Sequence, residues 1–423
     1  MSQFTHYRAA NGLQVLLVPR DTTEAVTVEF LFRAGSRYET PATNGLAHFN
    51  EHMVFKGSEK YPTFRDVNDT LTRVGAVNNA FTSSELTGFW AKVPAEHAEV
   101  PLDVLSDMLT KPQYDAAELD RERGVIIEEI NMYEDDPAAT AGELLEKVLY
   151  PDHPLGRSTL GPKKNISSFP REAFIEYARQ HHTPDRGILI VAGNLKHLPE
   201  KAIETAVARF DGASDEKPVP WQSDQTAPAL GVRHKKTEQT HLAMGFRAPS
   251  MQDRDKSVIL AVLAMALGGT MSSRLFVEVR EHQGLAYYVG AAADQYIDTG
   301  TLFIKAGVTN EKAAAAVTSI LKEAGKVKNG ELTEDELTMA KESLKGRLAF
   351  RWEDSTRLGE YFGEDQLLLG KTLPTDQILK MIGAVTVEDA TTLAQDIIKD
   401  EHLNVAVVGP HNEATFKDTL EVG

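Results

Sequence analysis

The sequence predicts an α+β fold of two related domains, each a largely antiparallel sheet packed by helices, joined by a linker. Three observations carry that expectation. At 423 residues the chain exceeds one ordinary core, since domains run to roughly 100–200 residues. Strand and helix signals mix without a βαβ rhythm, which favours helices laid on a mainly antiparallel sheet. Short stretches also recur in order: Phe32-Arg33-Ala34 as Phe246-Arg247-Ala248, Glu118-Leu119 as Glu336-Leu337, and Val191-Ala192-Gly193 as Val407-Val408-Gly409. Their spacings fall between 214 and 218 positions, as a duplicated domain of half the chain requires. The expected extents are residues 1–211 and 232–423, with 212–231, rich in Asp, Ser, Pro, Gly and Gln, as the linker.

The elements follow from local pattern. Asn11-Gly12 between Phe4–Ala10 and Leu13–Pro19 predicts a tight hairpin. Val26, Val28, Phe30 and Phe32 alternate along a further strand, and Asn44-Gly45 leads into a helix over Leu46–Phe55. Val77–Thr82 and Gly88–Val93 predict two strands, and helical periodicity covers roughly 95–110 and 115–134. The longest apolar run, Val258–Leu267, is too short for a bilayer, which takes about 20 residues, so no membrane span is expected. No apolar stretch of the signal-peptide kind precedes Asn11-Gly12, and the cytoplasm is the expected compartment.

The formal net charge of −17 repels phosphate backbones and anionic headgroups, so nucleic acid is excluded as an expected partner and a basic peptide suits better. The absence of cysteine excludes disulfides, thiolate nucleophiles and thiolate metal sites. Any metal must sit on His and carboxylates.

His48-Phe49-Asn50-Glu51-His52 is the most informative stretch. At 3.6 residues per turn His48 and His52 stand on one helical face with Glu51 beside them. Two imidazoles so spaced can share one divalent ion, with the carboxylate in reach of a water there; the plain alternative is a solvated face holding two His and a Glu. A third ligand is sought on the helix over 115–132. There Glu122 and Glu129, seven residues apart, return to within about 20° of one another, whereas Glu128 points elsewhere. An ordinary acidic helix with Arg121 and Arg123 in ion pairs is the alternative.

His48 to His52, then Met53-Val54-Phe55-Lys56-Gly57, then Asn79-Ala80-Phe81-Thr82, then Arg121-Glu122-Arg123-Gly124-Val125-Ile126-Ile127-Glu128-Glu129 together resemble the pitrilysin-type zinc peptidases of family M16, the group of insulin-degrading enzyme and the mitochondrial processing peptidases. The resemblance runs along essentially the whole chain. It implies His48, His52 and Glu129 as ligands of one Zn²⁺ per chain, Glu51 as the base, Glu122 as a supporting carboxylate, and Asn79 and Ala80 on an edge where substrate adds as a strand. Asn50 departs from the apolar residue usual in relatives, which leaves the local packing open.

In the second half, Ser273–Glu281 runs into Gly284-Leu285-Ala286-Tyr287, and Arg280 and Tyr287 keep the separation of the family's substrate-binding pair. An Arg offers fixed donors for a peptide carbonyl and a Tyr hydroxyl stabilises an oxyanion; an ion pair and a strand residue are the plain alternatives. Val262 to Ala266 occupy the positions equivalent to the zinc motif, so only the first half carries it. Two decoys fall away. Gly370-Lys371-Thr372 lacks the upstream Gly of a phosphate loop, because Asp365 stands there, and His181-His182 suits a helix end better than a metal pair. The resemblance implies a zinc endopeptidase acting on peptides or unfolded polypeptides inside a closed chamber. It further implies a homodimer in which Arg280 and Tyr287 of one copy complete the site of the other. An obligate heterodimer subunit or a non-catalytic scaffold relative is the alternative.

Overall fold

The computed structural model describes residues 3–422. Contacts divide the chain into two units, each assembled from three stretches. The first comprises residues up to Ile130, Arg157–Val219 and Phe350–Leu373, and the second Asn131–Gly156, Pro220–Ala349 and the residues from Pro374 onward.

The first unit holds a six-stranded sheet. Its strands are β1 (Thr5–Arg8), β2 (Gln14–Pro19), β3 (Ala25–Phe32), β4 (Val77–Thr82), β5 (Thr87–Pro94) and β6 (Gly187–Gly193), in the order β1-β2-β6-β3-β5-β4. Only β2 and β6 run parallel; β1 pairs with β2 through Arg8 opposite Gln14, as the Asn11-Gly12 hairpin requires. Val26, Val28, Phe30 and Phe32 turn one face of β3 into the main core. There they meet Phe49 and Met53 of α1 (Leu46–Val54) and Leu105 and Met108, which lie beyond α2 (Phe64–Arg73), on α3 (Glu99–Thr110). The alternation expected of a half-exposed strand is absent, because Thr27, Glu29 and Leu31 on the other face are buried as well. The helix Ser355–Leu369 covers that face. Thr27 Oγ1 lies 3.0 Å from Ser355 Oγ and from Thr356 Oγ1, and Gly363 allows contact so close that a Cβ there would stand 2.1 Å from Ile190 Cδ1.

The second unit has a five-stranded sheet of β7 (Ala229–His234), β8 (Gln239–Ala248), β9 (Ala286–Gln295), β10 (Gly300–Thr309) and β11 (Leu403–Gly409), ordered β7-β11-β8-β10-β9. Here too one pair, β7 with β11, is parallel and the rest antiparallel. Apart from β1, the two sheets repeat one topology strand for strand. β7 begins inside the stretch that composition marks as linker, and the passage from one unit to the other falls at Val219 to Pro220 in that same stretch.

The helices explain the interleaving. α4 (Ala116–Asp135) leads from the first unit into α5 (Pro137–Leu149), which lies on β8 and β11 of the second. The equally long helix Glu334–Glu353 leads back into Ser355–Leu369, which lies on β3 and β6 of the first. Each half thus lends the other a helix, and each lent helix starts at an Asp cap: Asp136 accepts from Ala138 N, and Asp354 from Thr356 N and Arg357 N.

Candidate metal centre

α1 starts abruptly. Gly45 has φ +97°, and a Cβ there would lie 2.7 Å from the Leu160 carbonyl oxygen, so glycine is required. No side chain caps the helix locally. Instead the buried carboxylate of Glu39 accepts hydrogen bonds from Gly45 N (3.0 Å), Ala47 N (2.7 Å) and Asn44 Nδ2 (2.9 Å). That anchor binds orphan donors of the first turn, and nothing in the local sequence pattern announces it. Phe49, Asn50 and Met53 are fully buried beneath the helix. Asn50 fits its site, with Oδ1 accepting from the Tyr114 hydroxyl at 2.6 Å and Nδ2 lying 3.4 Å from His182 Nε2.

His48 and His52 project from α1 with ring centroids 4.7 Å apart. The Nε2 atoms of both approach one oxygen of Glu129 on α4, Oε2, at 3.6 and 3.7 Å. These separations exceed a hydrogen bond, yet one potential ligand atom from each of the three residues lies within 4.8 Å of the others. Zinc bonds of about 2.0–2.2 Å in a tetrahedron put ligand atoms roughly 3.3–3.6 Å apart, so the donor set fits one such ion. Burial lowers the His48 pKa to about 3, assisted by the charge of His52, and keeps the ring neutral as a ligand must be; among the described residues no hydrogen bond reaches its buried Nδ1. Among the described residues His48, His52 and Glu129 form the one such group of three.

His52 Nδ1 donates to Glu122 Oε1 at 2.9 Å, which turns the Nε2 lone pair toward Glu129. Burial acts to lower the His52 pKa, but the Glu122 hydrogen bond and the charges of Glu51, Glu122 and Glu129 raise it on balance. Lys56 Nζ stands 2.5 Å from Glu122 Oε2. Although burial pushes the Glu122 carboxyl up, its bonds to His52 and Lys56 outweigh that and hold it below the ordinary range. Of the acidic-helix alternative, only the outer residues behave as expected: Arg121 pairs with Glu118 and Arg123 approaches Asp120, while Glu122 is buried and Glu128 is exposed.

Glu51 is not part of the three-residue cluster. Its carboxyl is raised by burial and by Glu129, against the opposing effects of Thr82 and His52, and its Oε2 accepts from Thr82 Oγ1 at 2.6 Å. Thr82 ends β4, the edge strand, which lies against α1 and carries Asn79 exposed and Ala80 half-buried. Sequence reasoning found the motif of this strand but not the contacts of Thr82 or Lys56, since both cross between elements.

Arg280 and Tyr287 belong to the second unit. Arg280 lies on a π-helical segment, Phe276–His282, with its guanidinium 4.6 Å above the Phe276 ring and 5.9 Å from that of Tyr287. Its Nε is 3.6 Å from Glu281 Oε1, a loose pair. Tyr287 stands on β9, the edge strand of its sheet, and is 74% exposed. Of the two decoys, His182 is the C-cap residue of the helix Arg171–His181, and Gly370, at φ +71°, ends Ser355–Leu369 in the left-handed conformation. No helix among the described residues is long and apolar enough to cross a membrane.

Comparisons with known proteins identify the family. Residues 14–163 match the family described as Insulinase (Peptidase family M16), and residues 168–344 the Peptidase M16 inactive domain. The uncharacterized zinc protease YmxG of Bacillus subtilis (strain 168) is 35% identical over 96% of this chain and 98% of its own. A protease from Helicobacter pylori superposes with a TM-score of 0.88 at 24% identity, covering 97% of this chain and all of the other. A peptidase M16 inactive domain from Pseudomonas fluorescens gives 0.88 at 19% identity over 97% and 99%. The two-sheet fold is therefore shared with these structures. With a relative named a zinc protease matched over 96% of the chain and two M16 family models matched one after the other, the chain belongs to peptidase family M16.

Proposed function

We propose that the chain is a zinc endopeptidase that hydrolyses peptides or unfolded polypeptides, with one Zn²⁺ per chain held by His48, His52 and Glu129. The observation that carries the reading is the convergence of both imidazole Nε2 atoms on Glu129 Oε2, with a second acidic residue, Glu51, next to His52 in the chain and outside the cluster. Zn²⁺, when bound, supplies a Lewis acid that lowers the pKa of water to about 7 and polarises a carbonyl. Glu51 takes the proton of the attacking water and passes it to the leaving amine. Glu122, itself held by Lys56, fixes the tautomer and orientation of His52. The open edge of β4 offers unpaired backbone groups to an extended substrate, so that Asn79 and Ala80 align its backbone while side-chain selection stays loose.

Arg280 and Tyr287 bind the substrate carbonyl and steady the developing oxyanion, supplied by a second copy of the chain in a homodimer that encloses a chamber. A purely structural role accords poorly with an intact ligand set. The test is Glu51→Gln: the variant keeps the metal and loses peptide cleavage by at least about 10²-fold, the low end for proton-transfer catalysis.

A further inference from the structure

We propose that Thr82 is the positioning residue for Glu51, tying the base to the substrate-binding edge strand. The inference rests on the endopeptidase reading above. A Glu side chain has three rotatable bonds, and the ends of a carboxylate exchange freely unless a partner distinguishes them. Thr82 Oγ1, donating at 2.6 Å, occupies Oε2 and leaves Oε1 as the oxygen that can take a proton. No other hydrogen bond to the Glu51 carboxylate is present among the described residues.

The donor is itself well fixed. Thr is stiff at χ1 because it is β-branched. Thr82 is also the last residue of β4, in register with Thr87 of β5, and its hydroxyl faces α1 across the strand. β4 is paired on one side only, so a substrate adding to its free edge loads the strand that carries this hydroxyl. Substrate pairing and base orientation therefore share one rigid segment, Asn79-Ala80-Phe81-Thr82. The effect belongs to the chemical step, because Thr82 reaches Glu51 and is not among the cluster of His48, His52 and Glu129.

The experiment compares Thr82→Val, which keeps the β-branched shape and strand propensity but removes the donor, with Thr82→Ser, which keeps the donor. Each is measured for metal content, for kcat and KM on a quenched peptide, and for the position of the Glu51 carboxylate in a crystal structure of the metal-loaded chain. Thr82→Val is expected to lower kcat by about 10–100-fold, as misplacement of a reacting group by about 1 Å does, with KM within twofold and metal content unchanged. Its Glu51 carboxylate is displaced, and Thr82→Ser recovers most of the rate. Wild-type kcat in Thr82→Val, an equal loss in Thr82→Ser, or a Glu51 carboxylate that stays in place would each overturn the proposal. Glu51→Gln, run alongside, separates the two ideas: if it is as active as the wild type, the base reading fails. If it is inactive while Thr82→Val turns over normally, only the role of Thr82 fails.

Discussion

A chain without cysteine has only imidazoles and carboxylates to offer a metal, and the three that cluster here, His48, His52 and Glu129, come from two helices. Spacing alone marked His48 and His52, one turn apart on α1, and left Glu122 and Glu129 together on one face of α4; the family resemblance singled out Glu129. The surrounding residues were less legible. Glu122 was marked by the same face as Glu129, but Lys56, Thr82 and the Glu39 anchor reach their partners across 66, 31 and up to 8 positions, and no local period encodes such contacts. Their energetic roles differ. The Glu122 bond to His52 Nδ1 fixes a tautomer, and removing such an outer partner typically costs 10–100-fold in metal affinity. Glu122→Gln keeps the shape but loses the charge that Lys56 balances, so we expect zinc affinity to fall by about 10-fold or more, read by competition with a chromophoric chelator. Unchanged affinity would mean that His52 is oriented by packing alone.

Strand and helix positions followed from pattern, and the departures came where an element meets a partner distant in sequence. The alternation of β3 implied one wet face, yet both faces are dry because a helix from the other half of the chain covers the second. The same exchange puts α5 on the second sheet, and it leaves acidic groups in unusual places. Glu29, on the covered face of β3, is completely buried with neither oxygen hydrogen-bonded among the described residues, and burial with the nearby Glu360 and Glu364 raises its pKa well above the ordinary range. On α5, Glu146 is raised from 4.5 to about 8 by burial and then by Asp294 and Glu143, against Lys147.

A carboxyl raised in the folded state binds its proton there more tightly than in the unfolded chain. Its contribution to stability is full below pH 4.5 and is lost as pH climbs toward 8. Glu146→Gln cannot ionise. Its stability should fall less steeply than that of the wild type over this window, by as much as one proton's worth, or about 1.4 kcal/mol per pH unit. Urea unfolding at several pH values between 5 and 8.5 measures the two slopes. Parallel curves would show that Glu146 is ordinary.

At the scale of the whole molecule, the recurrence of short motifs at spacings of 214 to 218 is matched by two sheets of one topology, and among the described residues the cluster of His48, His52 and Glu129 lies with the first. Duplication accounts for the shared topology. Arg280 and Tyr287 lie in the second unit, on the π-helical segment Phe276–His282 and on β9 after it, and a second copy is proposed to complete each site. Mixing tests this: Glu51→Gln and Tyr287→Phe homodimers should each be poorly active, and subunit exchange should restore one intact site per mixed dimer. Mixed dimers that form, by mass spectrometry, without regaining activity would contradict the shared site. The −17 charge predicts a preference for cationic over acidic peptides that weakens with salt; equal kcat/KM for matched Lys-rich and Glu-rich peptides at low salt would contradict it.

The most direct test of the central claim pairs metal analysis with a quenched-peptide assay on the purified wild type, Glu51→Gln and His48→Ala. The account predicts one zinc per chain and cleavage in the wild type, one zinc without cleavage in Glu51→Gln, and neither in His48→Ala. Cleavage at the wild-type rate by metal-loaded Glu51→Gln, or by a chain stripped of metal, would contradict it.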